Sequence, residues 1–266
     1  MEIKLPKTLF GDDGRKALER ILSEGDEVLR SDNFGGSSVV VKGRYDFVTD
    51  LNYAKALGVL RRDYSSGRIP GHPVYVFPDG KKVIRPLSLR ETALARMNDY
   101  ETLRDVDGSV RSDEDRLKLF NKWSFTCSGI AYHKGSSKCK ILPVSEVLVT
   151  IAEDYDHAFI PINYANVNGF EIDTSAGKYN QALPLSEVLE NAGWVESFEL
   201  DRRALTDYAG LVFRLLKDPG KAMGFSVGGN TNIDELRPFV FGGLFNDSLA
   251  GDGILDYNAR FVRVNP

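Results

Sequence analysis

Residues 201–216 place Leu205, Tyr208, Ala209, Val212, Leu215 and Leu216 at helical spacing on one face. Asp201 stands where an N-cap is needed, and Asp218-Pro-Gly stops the run. A helix with one apolar stripe must be laid against another layer, and the flanking sequence supplies strands for that layer. The runs 123–132 and 139–144 flank His133-Lys-Gly-Ser-Ser-Lys and predict a hairpin. A second hairpin is expected around Asp79-Gly80, between Val74–Phe77 and Val83–Ile84.

Further strands are expected at Val39-Val-Val, 159–162, 170–172, 223–227 and 260–264. Helices are expected over 14–30, 47–61, 112–122 and 184–194, the last ending at Gly193. Ser88 and Glu91 have capping-box spacing and open another helix. Asn232 with Glu235 is read the same way. Hairpins interspersed with helices, rather than strict strand–helix alternation, predict an α+β fold: mixed or antiparallel sheet elements with packed amphipathic helices.

The chain reads as a single globular unit over residues 1–266. Its best internal boundary is the polar stretch 104–115, which would divide an N-terminal α+β lobe (1–108) from a C-terminal α+β lobe (109–266). With 34 basic and 38 acidic residues interspersed, the net charge of −4 supplies no basic tract for nucleic acid. No apolar run is long enough to span a bilayer, and the N-terminus lacks the apolar core of a signal peptide. Two cysteines are too few for a disulfide framework and suit a reducing compartment, so the expected address is cytoplasmic.

Three constellations carry residue types capable of chemistry. Glu171, Asp173 and Lys178 are the types that hold a divalent cation and stabilise charge on a transferring phosphate. Against this, Glu171 and Asp173 alternate with Phe170 and Ile172 like the wet face of a strand. Cys127, His133 and Cys139 are zinc-ligand types, or a thiol–imidazole pair, but the C-x5-H-x5-C spacing lacks close cysteine pairs and a fourth ligand. Their alternative reading is a core thiol at Cys127 and a solvated turn histidine. Asp105, Asp107, Ser109 and Asp113 mimic a calcium loop, yet Val110 replaces its glycine and Arg116 its closing acid.

Two loops offer binding residues. Gly67-Arg-Ile-Pro-Gly-His-Pro could present Arg68 and His72 outward on a stiffened connection. Gly228 and Gly229, in Val227-Gly-Gly-Asn-Thr-Asn, would lead from a strand to a helix whose free amides suit an anion. Neither is a phosphate-binding signature. Each catalytic set fails on spacing, ligand count or a missing partner. The leading expectation is therefore a binding or interaction protein without its own catalysis, its partner an unspecified small molecule or protein and its cofactors unknown. A metal-assisted hydrolase acting on a phosphate-containing substrate is the alternative, and a zinc or thiol site protein the third.

Overall fold

A computed structural model describes residues 44–265, apart from 218, 229–230, 245–249, 257–258 and the side chains of 49 and 50. The helix expected over 14–30 and the strand at Val39-Val-Val lie outside the described residues. Strand β1 (Arg44–Leu51) pairs antiparallel with β11 (Ala259–Asn265), with Tyr45 opposite Val264 and Phe47 opposite Val262. Asn52 then caps helix α1 (Tyr53–Ser65) by accepting the Lys55 N–H. The expected helix over 47–61 is thus corrected: its first five residues belong to β1, because the Asn52 cap fixes where helical hydrogen bonding starts.

Strands β2 (Val74–Val76) and β3 (Lys82–Ile84) form the expected small hairpin. Helix α2 (Leu89–Glu101) opens on Ser88 with both capping-box bonds in place. The helix expected over 112–122 contracts to α3 (Asp113–Arg116), followed by turns. Strand β4 (Ser124–Tyr132), buried throughout, turns into β5 (Lys138–Leu142), and α4 (Glu146–Thr150) follows. After β6 (Ile160–Pro161), a 3-10 turn (Tyr164–Asn166) and β7 (Phe170–Asp173) come α5 (Leu185–Glu190), α6 (Ala192–Ser197) and α7 (Arg202–Leu215). Strands β8 (Phe225–Ser226), β9 (Glu235–Phe241) and β10 (Ala250–Asp252) precede β11.

The main sheet runs β7, β5, β4, β9, β10, β8, with β6 added beside the start of β9; all its pairings are antiparallel except β8 with β10. The fold is α+β. On one face, Ile130, Cys139, Ile141, Phe239 and Phe241 pack with Trp194 of α6 and Leu205, Tyr208 and Val212 of α7. This is the layer the amphipathic stripe requires, and each such side chain contributes roughly 1.5–3 kcal/mol by leaving water. On the other face, Tyr53, Leu57 and Leu60 of α1 pack with Phe125 and Leu236 of the sheet and with Phe261 of β11.

Two further expectations are corrected. Gly193 does not end a helix; it lies within α6, where a Cβ would stand 2.6 Å from the Phe225 ring, so its role is close packing. The break instead falls at Asn191, whose side chain accepts the Trp194 N–H and starts α6 anew. The helix expected from Asn232 and Glu235 is strand β9. Pro238, which disguises a central strand, is accommodated where the β4–β9 register shifts between Phe125 and Gly129.

Candidate functional site

The β4–β9 register sets the site. Tyr132 opposes Glu235, so the next residues outward, His133 and Asp234, meet although they are 101 positions apart. His133 Nδ1–H donates to Asp234 Oδ1 at 2.9 Å, an assignment that follows from a carboxylate being acceptor-only. The same oxygen accepts the Lys134 N–H at 2.9 Å, while Oδ2 accepts the Tyr164 N–H at 3.3 Å. Hydrogen bonds from Lys134 and then His133 hold the Asp234 carboxyl down at about 2. The histidine ring is thereby fixed in plane and tautomer, and in the neutral imidazole Nε2 carries the lone pair.

Tyr164 follows β6, which is hydrogen-bonded to β9 at Glu235 and Leu236, and its ring stacks under His133 at 4.8 Å and 20°. Its hydroxyl donates to Glu171 Oε2 at 3.1 Å, and burial together with that carboxylate raises the phenol above its usual range. Lys138 Nζ donates to Glu171 Oε1 at 2.9 Å, so Glu171 lies below the usual carboxylate range. Lys140 lies 4.5 Å from the Tyr164 ring centre and donates to the carbonyls of Tyr164 and Val167. The assembly is a half-exposed imidazole on a tyrosine support, beside a Lys–Glu pair.

Asp173, two residues from Glu171 on β7, accepts from the Ser137 and Ser175 hydroxyls and the Ser175 N–H, which lower its pKa. Lys178 does not join these acids; its Nζ pairs with Glu187 of α5 at 2.5 Å. Glu171 and Asp173 therefore share a strand face without a common focus with Lys178. Cys127 is buried with its Sγ 3.6 Å from Arg85 Nη1, and Cys139 is buried opposite Tyr132 and Ile172. Burial pushes both thiols up to about 12. Among the described residues, no group of three His, Cys, Asp or Glu is placed to hold a metal.

The two loop candidates take different roles. Arg68, largely exposed, pairs with Asp63 at 2.9 Å. His72 faces inward instead of outward: its Nε2–H donates to the Arg85 carbonyl at 3.0 Å and its Nδ1 accepts the Val264 N–H at 3.2 Å. Gly228 donates its N–H to the Tyr132 hydroxyl at 2.7 Å, so that amide is already engaged. Its loop leads into β9 rather than into a helix. Gly229 lies outside the described residues. In the calcium-like stretch, Asp107 accepts from the Ser109 N–H and hydroxyl, and Asp113 pairs with Arg116 at 3.3 Å.

Sequence reasoning found His133 and Glu171 but missed Asp234, Tyr164 and Lys138. The pairing of β9 with β4 and β6 brings Asp234 and Tyr164 to His133, and the pairing of β5 with β7 brings Lys138 to Glu171; the reading of Asn232–Glu235 as a helix start hid the first of these. No protein-family model matches the chain, and no curated protein is significantly similar to it. The fold is similar to a solved structure described as "Accommodation of massive sequence variation in Nanoarchaeota by the C-type lectin fold". The likeness has a TM-score of 0.53 at 15% identity and covers 85% of this chain and 100% of the other. It shows the fold alone.

Proposed function

We propose that the chain is a binding protein without its own catalysis, and that its recognition surface is centred on His133. The observation that carries the reading is the fixed imidazole: Asp234 holds Nδ1–H and Tyr164 supports one face, leaving the half-exposed ring edge to accept or stack. Such a group offers directional recognition without loss of side-chain freedom on binding. The adjacent Lys138–Glu171 pair adds a donor and acceptors of opposite sign, suited to a polar partner of low net charge.

The similar structure's description, which speaks of massive sequence variation accommodated by the C-type lectin fold, supports this reading. The pairing of β1 with β11, which ties the two ends of the described chain, supports treating it as one unit. The dispersal of Glu171, Asp173 and Lys178 onto separate partners weighs against the hydrolase alternative.

The test is a binding screen of the intact chain on arrayed glycans and a displayed peptide library, repeated with His133→Ala and, as a control, Lys178→Ala. The expected result is a partner lost with His133→Ala and kept with Lys178→Ala. Partners indifferent to His133, or turnover of a bound compound, would overturn the reading.

A further inference from the structure

Arginines in this protein are mostly paired. Arg85 grips Glu91, Arg237 bridges Glu235 and Asp252, and Arg263 bridges Asp46 and Asp63. Arg260, three residues before Arg263 on β11, differs. Its guanidinium carbon lies 5.5 Å from the Phe47 ring centre and 5.1 Å from that of Trp123. Trp123 is itself braced edge-on against Phe125 at 5.7 Å. Among the described residues, the Arg260 guanidinium has neither a carboxylate nor a hydrogen-bond partner, and the residue is only half-buried.

We propose that Arg260 is an oxyanion-binding residue, with Phe47 and Trp123 as its aromatic seat. The seat lies at the Ser124 end of β4, whereas His133 follows the Tyr132 end, so this is a second site. Two rings beside a guanidinium hold its plane by cation–π attraction and shed part of its hydration. The N–H groups stay free to form a two-point bond to an oxyanion, and among the described side chains no carboxylate pairs with them. A guanidinium fork matches both carboxylate and phosphate oxygens, and the ring edges favour a ligand whose anion sits beside an apolar group.

Trp123 reports on the site, because Trp194, the other tryptophan, is enclosed among Phe198, Phe225 and Phe241. The intact chain is titrated with sodium phosphate and, separately, sodium acetate at constant ionic strength, with chloride as reference. Tryptophan emission is followed, and Trp123→Phe confirms its source. The expected result is a saturable change beyond chloride, weakened about tenfold or more in Arg260→Gln, the loss of a charge-assisted hydrogen bond. Arg260→Lys, which keeps charge without the fork, should fall between. Response to phosphate alone assigns a phosphate ligand, and response to acetate a carboxylate. If Arg260→Gln does not fold, the Nε signal of Arg260 in the unaltered chain, followed by nitrogen-15 resonance, serves instead. No saturable change, an equal midpoint in a folded Arg260→Gln, or an unmoved Nε signal would overturn the proposal.

Discussion

His72 and His133 are the same residue put to opposite uses. His72 is buried, with one ring nitrogen donating to the Arg85 carbonyl and the other accepting from Val264, so both polar atoms are committed to joining β11 to the β2–β3 end. Burial holds it down at about 4, since a charged imidazole would be desolvated and its second N–H would face the Val264 donor. His133 commits one nitrogen to Asp234 and stays half-exposed. A polar group whose bonds are all made inside the fold contributes to stability; one with a bond left over is available to a partner.

The largest effect should come from breaking the polar framework around His72. Burial pushes the Glu91 carboxyl up, but two hydrogen bonds from Arg85, at 2.5 and 2.7 Å, bring it net below its usual range. Glu91→Gln leaves the Arg85 charge buried without its partner and weakens the capping box. A loss of about 3 kcal/mol or more is expected in urea unfolding. A loss below about 1 kcal/mol would mean that this end is held mainly by apolar packing.

The next effect is read from pH. His72 is held near 4 in the fold against an ordinary value of about 6.5. Below 6.5 the unfolded chain takes up a proton that the native chain refuses. The stability that neutral His72 confers is therefore complete above about 6.5 and lost as pH falls to about 4. The 2.5-unit difference corresponds to about 3 kcal/mol. Comparing urea midpoints of the unaltered chain and His72→Gln across that window isolates this slope. Parallel curves would show that His72 is not the group titrating.

A smaller effect is expected at Asp234. Its carboxyl sits near 2, below the ordinary 3.9 or so, because it accepts from Lys134, His133 and Tyr164. Its contribution is present above about pH 4 and lost as pH falls through about 2. Asp234→Asn should flatten acid unfolding over that interval. An acid limb unchanged below about pH 4 would show that Asp234 is not the group titrating there.

The sequence disclosed what is local and concealed what is set by register. The Ser88–Glu91 box, the stripe of α7 and the hairpins β2–β3 and β4–β5 all depend on neighbours a few positions apart, and all are present. His133 and Asp234 meet only because β9 lies beside β4. Two features hid that strand: Glu235, whose acid suits a helix start as well as the fork with Arg237, and Pro238 in a central position. His72 misled for a different reason. A Gly- and Pro-rich loop reads as surface, but β11, nearly two hundred residues later, supplies the N–H that draws its ring inward. Lys178 had a partner nine residues away, yet nothing local marked Glu187 as preferred over Glu171 or Asp173.

The smallest expected change in stability is at His133 itself. Its side chain is 44% exposed, and Asp234 keeps its two backbone donors, Lys134 and Tyr164, when the imidazole is removed. His133→Ala should therefore move the urea midpoint by no more than about 0.5 kcal/mol, the range of ordinary surface substitutions. Binding through this surface should disappear all the same. His72→Ala is the matched opposite: it leaves the Val264 N–H without its acceptor inside the fold and should cost about 1–3 kcal/mol. Equal costs for the two alanine variants would make His133 as structural as His72. The imidazole would then be holding β4 to β9, and the recognition surface would have to be sought elsewhere on the fold.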